Sequence, residues 1–221
     1  MISHKYKCIF IHIPKCGGSS IESAFGENRD HFNFRFFQRP IPLFSRHMLS
    51  IDNIGQIMRI AKYSIADRFS SNLSSGNNNI NDTIYKEYYK FTFVRNPWAR
   101  VFSVYQKIIR DPHQRVLYGV NENTCLSEFI EKHAGKGLLK SQMYFIRNFS
   151  GGVDLDFIGR FESLSRDFNY VGTKVGLDYD KLPHKQKGNG LDYREVYDNQ
   201  TIALIQDLYK NEIEYLSYDF E

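Results

Sequence analysis

The sequence predicts a three-layer α/β fold: a central parallel sheet flanked by helices. Two short runs, residues 7–13 and 90–94, are nearly continuous in apolar side chains, as strands buried on both faces of a parallel sheet are. Helical patterns alternate with such runs, and no internal repeat interrupts them. At 221 residues the chain is long enough for one core, and no stretch has a linker's composition, so a single domain, 1–221, is expected.

The first run, from Lys7 to Ile13, leads into Pro14-Lys15-Cys16-Gly17-Gly18. Ser19-Ser20-Ile21-Glu22 then offers a capping box for a short helix that Gly26 ends. Residues 70–82 are polar and turn-forming, the composition of a mobile surface loop. After the second run, Asn96 can cap a helix and Pro97 suits its first position. Trp98, Val101, Phe102, Tyr105, Ile108 and Ile109 recur along it at helical spacing until Asp111-Pro112 stops it. Residues 156–161 read as a further strand. Leu164, Phe168, Val171 and Val175 mark a helix ended by Gly176. A last helix begins near Asp198 and carries Ile202, Ile205, Leu208, Tyr209, Ile213 and Leu216 on one face.

Composition is that of an ordinary globular protein, with 24% charged, 42% hydrophobic and a high 15% aromatic content,. The net charge of +4 suits anionic ligands without demanding nucleic acid, and none is expected as a partner. Cys8, Cys16 and Cys125 show neither zinc spacing nor disulfide density, which favours a reducing compartment. The apolar run at 8–13 falls far below the roughly 18 residues of a membrane span. A bacterial cytoplasmic protein is the expectation, with the Golgi lumen as the alternative if a membrane stem has been removed.

The chemistry concentrates in two loops. Gly17 and Gly18 let the backbone approach an anion closely, and the helix start behind them presents N–H groups and a positive dipole end. Lys15 adds a charge, and Ser19 and Ser20 add hydroxyls. The lysine precedes both glycines, whereas a Walker loop places it after the last one. On this segment alone, a tight glycine turn with an exposed lysine accounts for the residues equally well. Arg95 stands between a buried strand and a helix start, the carboxyl edge where open α/β sheets bind ligands, and Ser103 follows two turns on. The pair could bind a phosphate, or could be a surface arginine and a polar helix position.

Together these stretches resemble the sulfotransferases that use 3′-phosphoadenosine 5′-phosphosulfate (PAPS), in particular the carbohydrate-directed branch with the heparan 2-O-sulfotransferases and bacterial relatives. Phe10-Ile11-His12-Ile13-Pro14-Lys15-Cys16-Gly17-Gly18-Ser19-Ser20 is similar to that family's 5′-phosphosulfate loop, with Cys16 where threonine is frequent. Phe93-Val94-Arg95-Asn96-Pro97-Trp98-Ala99-Arg100-Val101-Phe102-Ser103 is similar to its 3′-phosphate segment. The likeness extends more weakly through Phe157-Ile158-Gly159-Arg160-Phe161-Glu162 to the C-terminal helix, and it implies a P-loop-like fold.

The resemblance implies that Lys15 stabilises the leaving oxygen and that Cys16, Gly17, Gly18, Ser19 and Ser20 hold the phosphosulfate. It further implies that Arg95 and Ser103 hold the 3′-phosphate, with product 3′-phosphoadenosine 5′-phosphate (PAP) and no metal. Ser45-Arg46-His47 is similar to the segment with the catalytic base, so His47 is the candidate for base and acceptor contact, against a loop histidine; His12, Glu22 and Glu162 are lesser candidates. Residues 182–190 resemble the loop that closes over the nucleotide, where Lys185 and Lys187 could meet an anion or simply be solvated. Gln142 and Arg147 are further candidates for an acceptor, expected to be a carbohydrate or glycolipid hydroxyl. The competing functions are a P-loop kinase of a small metabolite and a nucleotide-binding module without turnover.

Overall fold

The computed structural model describes residues 1–26, 82–147, 151–178, 182 and 191–220. The chain opens with β1 (Ile2–Ser3), β2 (Cys8–Ile11) and α1 (Gly18–Phe25). After α2 (Asp82–Glu87) come β3 (Tyr89–Val94), α3 (Pro97–Arg110), α4 (Pro112–Tyr118), α5 (Leu126–His133) and α6 (Met143–Ile146). The rest comprises β4 (Phe157–Arg160), α7 (Leu164–Val175), α8 (Asn199–Leu208) and α9 (Lys210–Leu216). Of the expected loop at 70–82 all but Asp82, the first residue of α2, lies outside the described residues, as do His47, Lys185 and Lys187.

The sheet has the order β1-β2-β3-β4. Strands β2, β3 and β4 are parallel, with Phe10 beside Phe91 and Phe91 beside Phe157. That fulfils the expected α/β class. The edge strand β1 is antiparallel, pairing Ile2 with Ile9; two residues are too few for any periodicity to announce it. Its terminal ammonium on Met1 donates to the Phe10 carbonyl at 2.9 Å.

Two apolar clusters hold the fold. One surrounds the sheet, where Ile21 and Phe25 of α1 and Phe168 and Val171 of α7 pack with Phe10, Phe91 and Phe93. The other gathers Trp98, Val101 and Ile108 of α3 with Phe129 and Ile130 of α5 and Ile205 of α8. Helix α3 starts as expected: the Asn96 side chain accepts from the Trp98 and Ala99 N–H groups, with Pro97 in the first turn,. Asp111 does more than stop it. Its carboxylate caps α4 by accepting from His113 and Gln114.

Two local expectations are overturned. The capping box at the start of α1 does not form, because Gly17 caps the helix in a left-handed conformation without a side-chain bond. Glu22 instead turns inward, 3% exposed, toward His12. The single C-terminal helix is broken at Tyr209. That buried ring is held by the Leu139 carbonyl, to which its hydroxyl donates, and by the Gly135 N–H at 3.1 Å. Asp198 does form the helix start, exchanging bonds with Thr201 as a capping box,.

Candidate active site

The parallel strands β2 and β3 end side by side and deliver the two predicted loops to one edge. Beyond β2 the backbone turns through Lys15 and Gly17, both with positive φ, at 70° and 85°. The Cys16 N–H closes this turn onto the Ile13 carbonyl at 3.3 Å. Ser20 and Ile21 donate back to the Gly17 carbonyl at 3.0 and 3.2 Å. Among the described residues no carbonyl or side chain takes the N–H groups of Gly17, Gly18 and Ser19. A loop with successive unpaired N–H groups at a helix start is an anion cradle.

Gly18 is required there by contact. A Cβ on it would lie 2.3 Å from Nε2 of His12, whose Nδ1 is 2.7 Å from Glu22 Oε1. His12 and Glu22, lesser candidates for the base, are thus partnered with each other at the first turns of α1.

Arg95 follows β3 directly. Its Nη1 donates to the Lys15 carbonyl at 3.3 Å and its guanidinium stacks on Phe161, 4.2 Å from the ring centre. The Nε is buried with no hydrogen-bond partner. Burial pushes this guanidinium's pKa down from its ordinary value. Such an unmet donor costs on the order of 1–3 kcal/mol, which a ligand oxygen can offset.

The lysine across the loop is perturbed too. Burial, then the positive charges of Lys107, Arg95 and Arg110, bring Lys15 down to about 8. Lys107 and Arg110 lie one and two turns beyond Ser103 on a single stripe of α3, so this stripe looks toward the loop. Ser103 itself is half-buried on it. Sequence reading named Ser103 and passed over the two cations, although their spacing from it was available as a signal.

Cys16 contributes differently from the glycines. Its side chain is buried, with Sγ 3.3 Å from Gln142 Oε1, and burial pushes the thiol up to about 12. Gln142 needs correction. It is 0% exposed, and its amide is occupied by the Arg95 backbone and Glu212, so it has no face to offer an acceptor. Arg147 lines a cleft with Ser141, Tyr144 and Asn211. Glu162 takes the Asn96 N–H at 2.7 Å and the Tyr218 hydroxyl at 3.0 Å. Among the described residues no cluster of His, Cys, Asp or Glu is disposed to hold a metal, and no helix is long and apolar enough to cross a membrane.

An uncharacterized protein of Archaeoglobus fulgidus is 32% identical over 102 residues, spanning 45% of this chain and 78% of that one. No solved structure matches. A profile of the sulfotransferase family matches residues 1–219, nearly the whole chain, including both loops that meet at the sheet edge. The chain therefore belongs to the sulfotransferase family, whose members are transferases of the sulfonyl group.

Proposed function

We propose that the protein is a PAPS-dependent O-sulfotransferase acting on a hydroxyl of a carbohydrate or glycolipid. The observation that carries this reading is the buried, unpartnered Nε of Arg95 beside the open N–H groups of Gly17, Gly18 and Ser19. Two anion-binding devices at one sheet edge suit a ligand with phosphate-like groups at both ends. The residues present therefore fit the donor, and the lysine preceding the glycines sets the loop apart from a triphosphatase.

When bound, the donor supplies an activated sulfonyl group and a phosphate as its leaving group. The chain's residues position and neutralise. Gly17, Gly18 and Ser19 give backbone donors to the phosphosulfate, with the Ser19 and Ser20 hydroxyls beside them. Cys16 shapes the loop from beneath. Lys15, with a pKa of about 8, is mostly charged at neutral pH and sets a cation against the negative charge that grows on the departing oxygen. Arg95, Ser103 and, in the basic loop, Lys185 hold the 3′-phosphate, the group that distinguishes the donor from ATP. His47 takes the acceptor's proton, a role that the ordinary basicity of an imidazole suits. The acceptor class rests on the resemblance to the carbohydrate-directed branch.

Calorimetric titration with PAP, AMP and ATP tests the donor site. Wild type is expected to bind PAP tightly and Arg95→Ala to lose that preference; equal or better binding of ATP overturns the proposal. With labelled PAPS and a glycan panel, His47→Ala is expected to bind PAP normally yet transfer nothing.

A further inference from the structure

Arg95 is the first residue beyond β3, where the ladder has ended and backbone groups must find other partners. Three successive groups do so through side chains. The Arg95 N–H donates to Gln142 Oε1 at 2.8 Å, and the Arg95 carbonyl accepts from Gln142 Nε2 at 2.7 Å. The next N–H, of Asn96, donates to Glu162 Oε1 at 2.7 Å. A carboxamide serves the first two at once, because it both donates and accepts.

These side chains are themselves held by the C-terminal segment. Glu212, 1% exposed, accepts from Gln142 Nε2 at 2.6 Å and from the Gln142 backbone N–H at 2.5 Å. Gln142 Oε1 also receives the Cys16 thiol, which joins the glycine loop to the same amide. On the other side the Tyr218 hydroxyl donates to Glu162, and the Asn96 side chain donates to the Asp219 carbonyl at 2.7 Å. Neither carboxylate forms an ion pair with Arg95 among the described residues.

We infer that Gln142, Glu162 and Glu212 are positioning residues of the donor site, a two-sided clamp that fixes the Arg95 backbone so that its guanidinium meets the 3′-phosphate. The inference rests on the reading of Arg95 given above. Gln142 orients the arginine and the Cys16 loop together, while Glu212 orients Gln142. The carboxylates satisfy backbone and amide donors and leave the guanidinium's charge for the ligand. A side chain that merely stabilised the fold would weaken PAP and AMP binding alike; a clamp on Arg95 changes their ratio, since AMP lacks the 3′-phosphate.

The experiment measures dissociation constants for PAP and AMP, together with melting temperature, in wild type, Gln142→Glu, Glu212→Gln, Glu162→Ala and Asp198→Ala. The preference for PAP over AMP is expected to fall about tenfold or more in the first two variants, the scale of one misaligned charge-assisted bond, and severalfold in Glu162→Ala. Asp198→Ala removes a distant helix cap and is expected to lower the melting temperature while keeping the preference. In Gln142→Glu two carboxylates face each other, so acidification to about pH 5.5 is expected to restore the preference relative to wild type at that pH, by returning a proton to donate. Because Glu162 is exposed, Glu162→Ala keeps the test decisive should a buried variant fail to fold. Unchanged preference in the folded clamp variants, or an equal loss in Asp198→Ala, overturns the inference alone. A wild type that does not prefer PAP overturns it together with the donor reading.

Discussion

Raising the pH from 7.5 to 9 tests the electrostatics of the glycine loop through Lys15. Burial and the neighbouring charges of Lys107, Arg95 and Arg110 bring this lysine from 10.5 to about 8. An anion set against it reverses the preference, so a lysine that has lost its proton must regain it on binding. With a value of about 8 in the unliganded protein and an ordinary value in the complex, PAP affinity is expected to weaken roughly eightfold across the interval, approaching tenfold per unit above it. The ligand's own phosphates, with second pKa values of about 6, are nearly fully ionised by then. Folding stability responds in the opposite sense: between pH 8 and 10.5 the unfolded chain binds the proton and the folded one does not, so Lys15 adds stability as pH rises. Calorimetry at each pH in two buffers of different ionisation heat gives the affinity and the protons taken up. Lys15→Arg stays charged throughout and is expected to flatten the profile. A wild-type affinity constant from pH 7.5 to 9, with no proton uptake, would refute the reasoning.

The other predictions concern packing, burial and thiol chemistry. Gly18→Ala forces the His12 ring away from its bond to Glu22, because the new methyl would lie 2.3 Å from Nε2; a loss of about 1–3 kcal/mol in chemical denaturation and weakened PAP binding are expected, and full stability with full affinity would contradict the contact. Arg95→Met removes a buried cation and its unpartnered Nε while keeping an apolar stem against Phe161. It is expected to abolish the preference for PAP without lowering the melting temperature of the unliganded protein, and a clear drop in melting temperature counts against this account. Iodoacetamide near neutral pH is expected to alkylate Cys125, which is exposed and whose thiol is lowered by the Ser127 hydroxyl and the Glu128 backbone N–H, well before Cys16,. Peptide mapping that finds Cys16 modified first in the native protein would overturn this.

Much of the scaffold was legible because its signals are local. Strands β2 and β3 announce themselves through apolar runs, since both their faces are covered. Asn96-Pro97 marks a helix start by its own chemistry, and Gly176 marks a helix end by its left-handed conformation,. Interactions between distant residues left no such trace. Gln142 has a polar side chain that suggested an acceptor contact, and only the fold brings it to Arg95, 47 positions away in sequence. Glu22 looked like a cap because Glu is often used so, yet His12 across the turn offers it a buried partner. The break at Tyr209 was hidden for a similar reason: a phenol at a helical core position says nothing of the Leu139 carbonyl that draws it in.

The arrangement of charge explains why these hidden residues matter. A buried guanidinium could be satisfied by a carboxylate, and two stand close enough to affect their surroundings. Glu162 instead accepts from Asn96 and Tyr218, and Glu212 accepts twice from Gln142. Had either paired with Arg95, the fold would gain a neutralised cation, and an anion would have to break that pair to bind. Leaving Nε unmet costs the resting protein on the order of 1–3 kcal/mol; a phosphate contact of comparable size then appears in full as affinity rather than as an exchange of partners. A related effect operates at Lys15, where burial first and then positive neighbours disfavour the charge that a bound anion favours. Stability withheld at both positions becomes discrimination for a ligand with anionic groups at two ends.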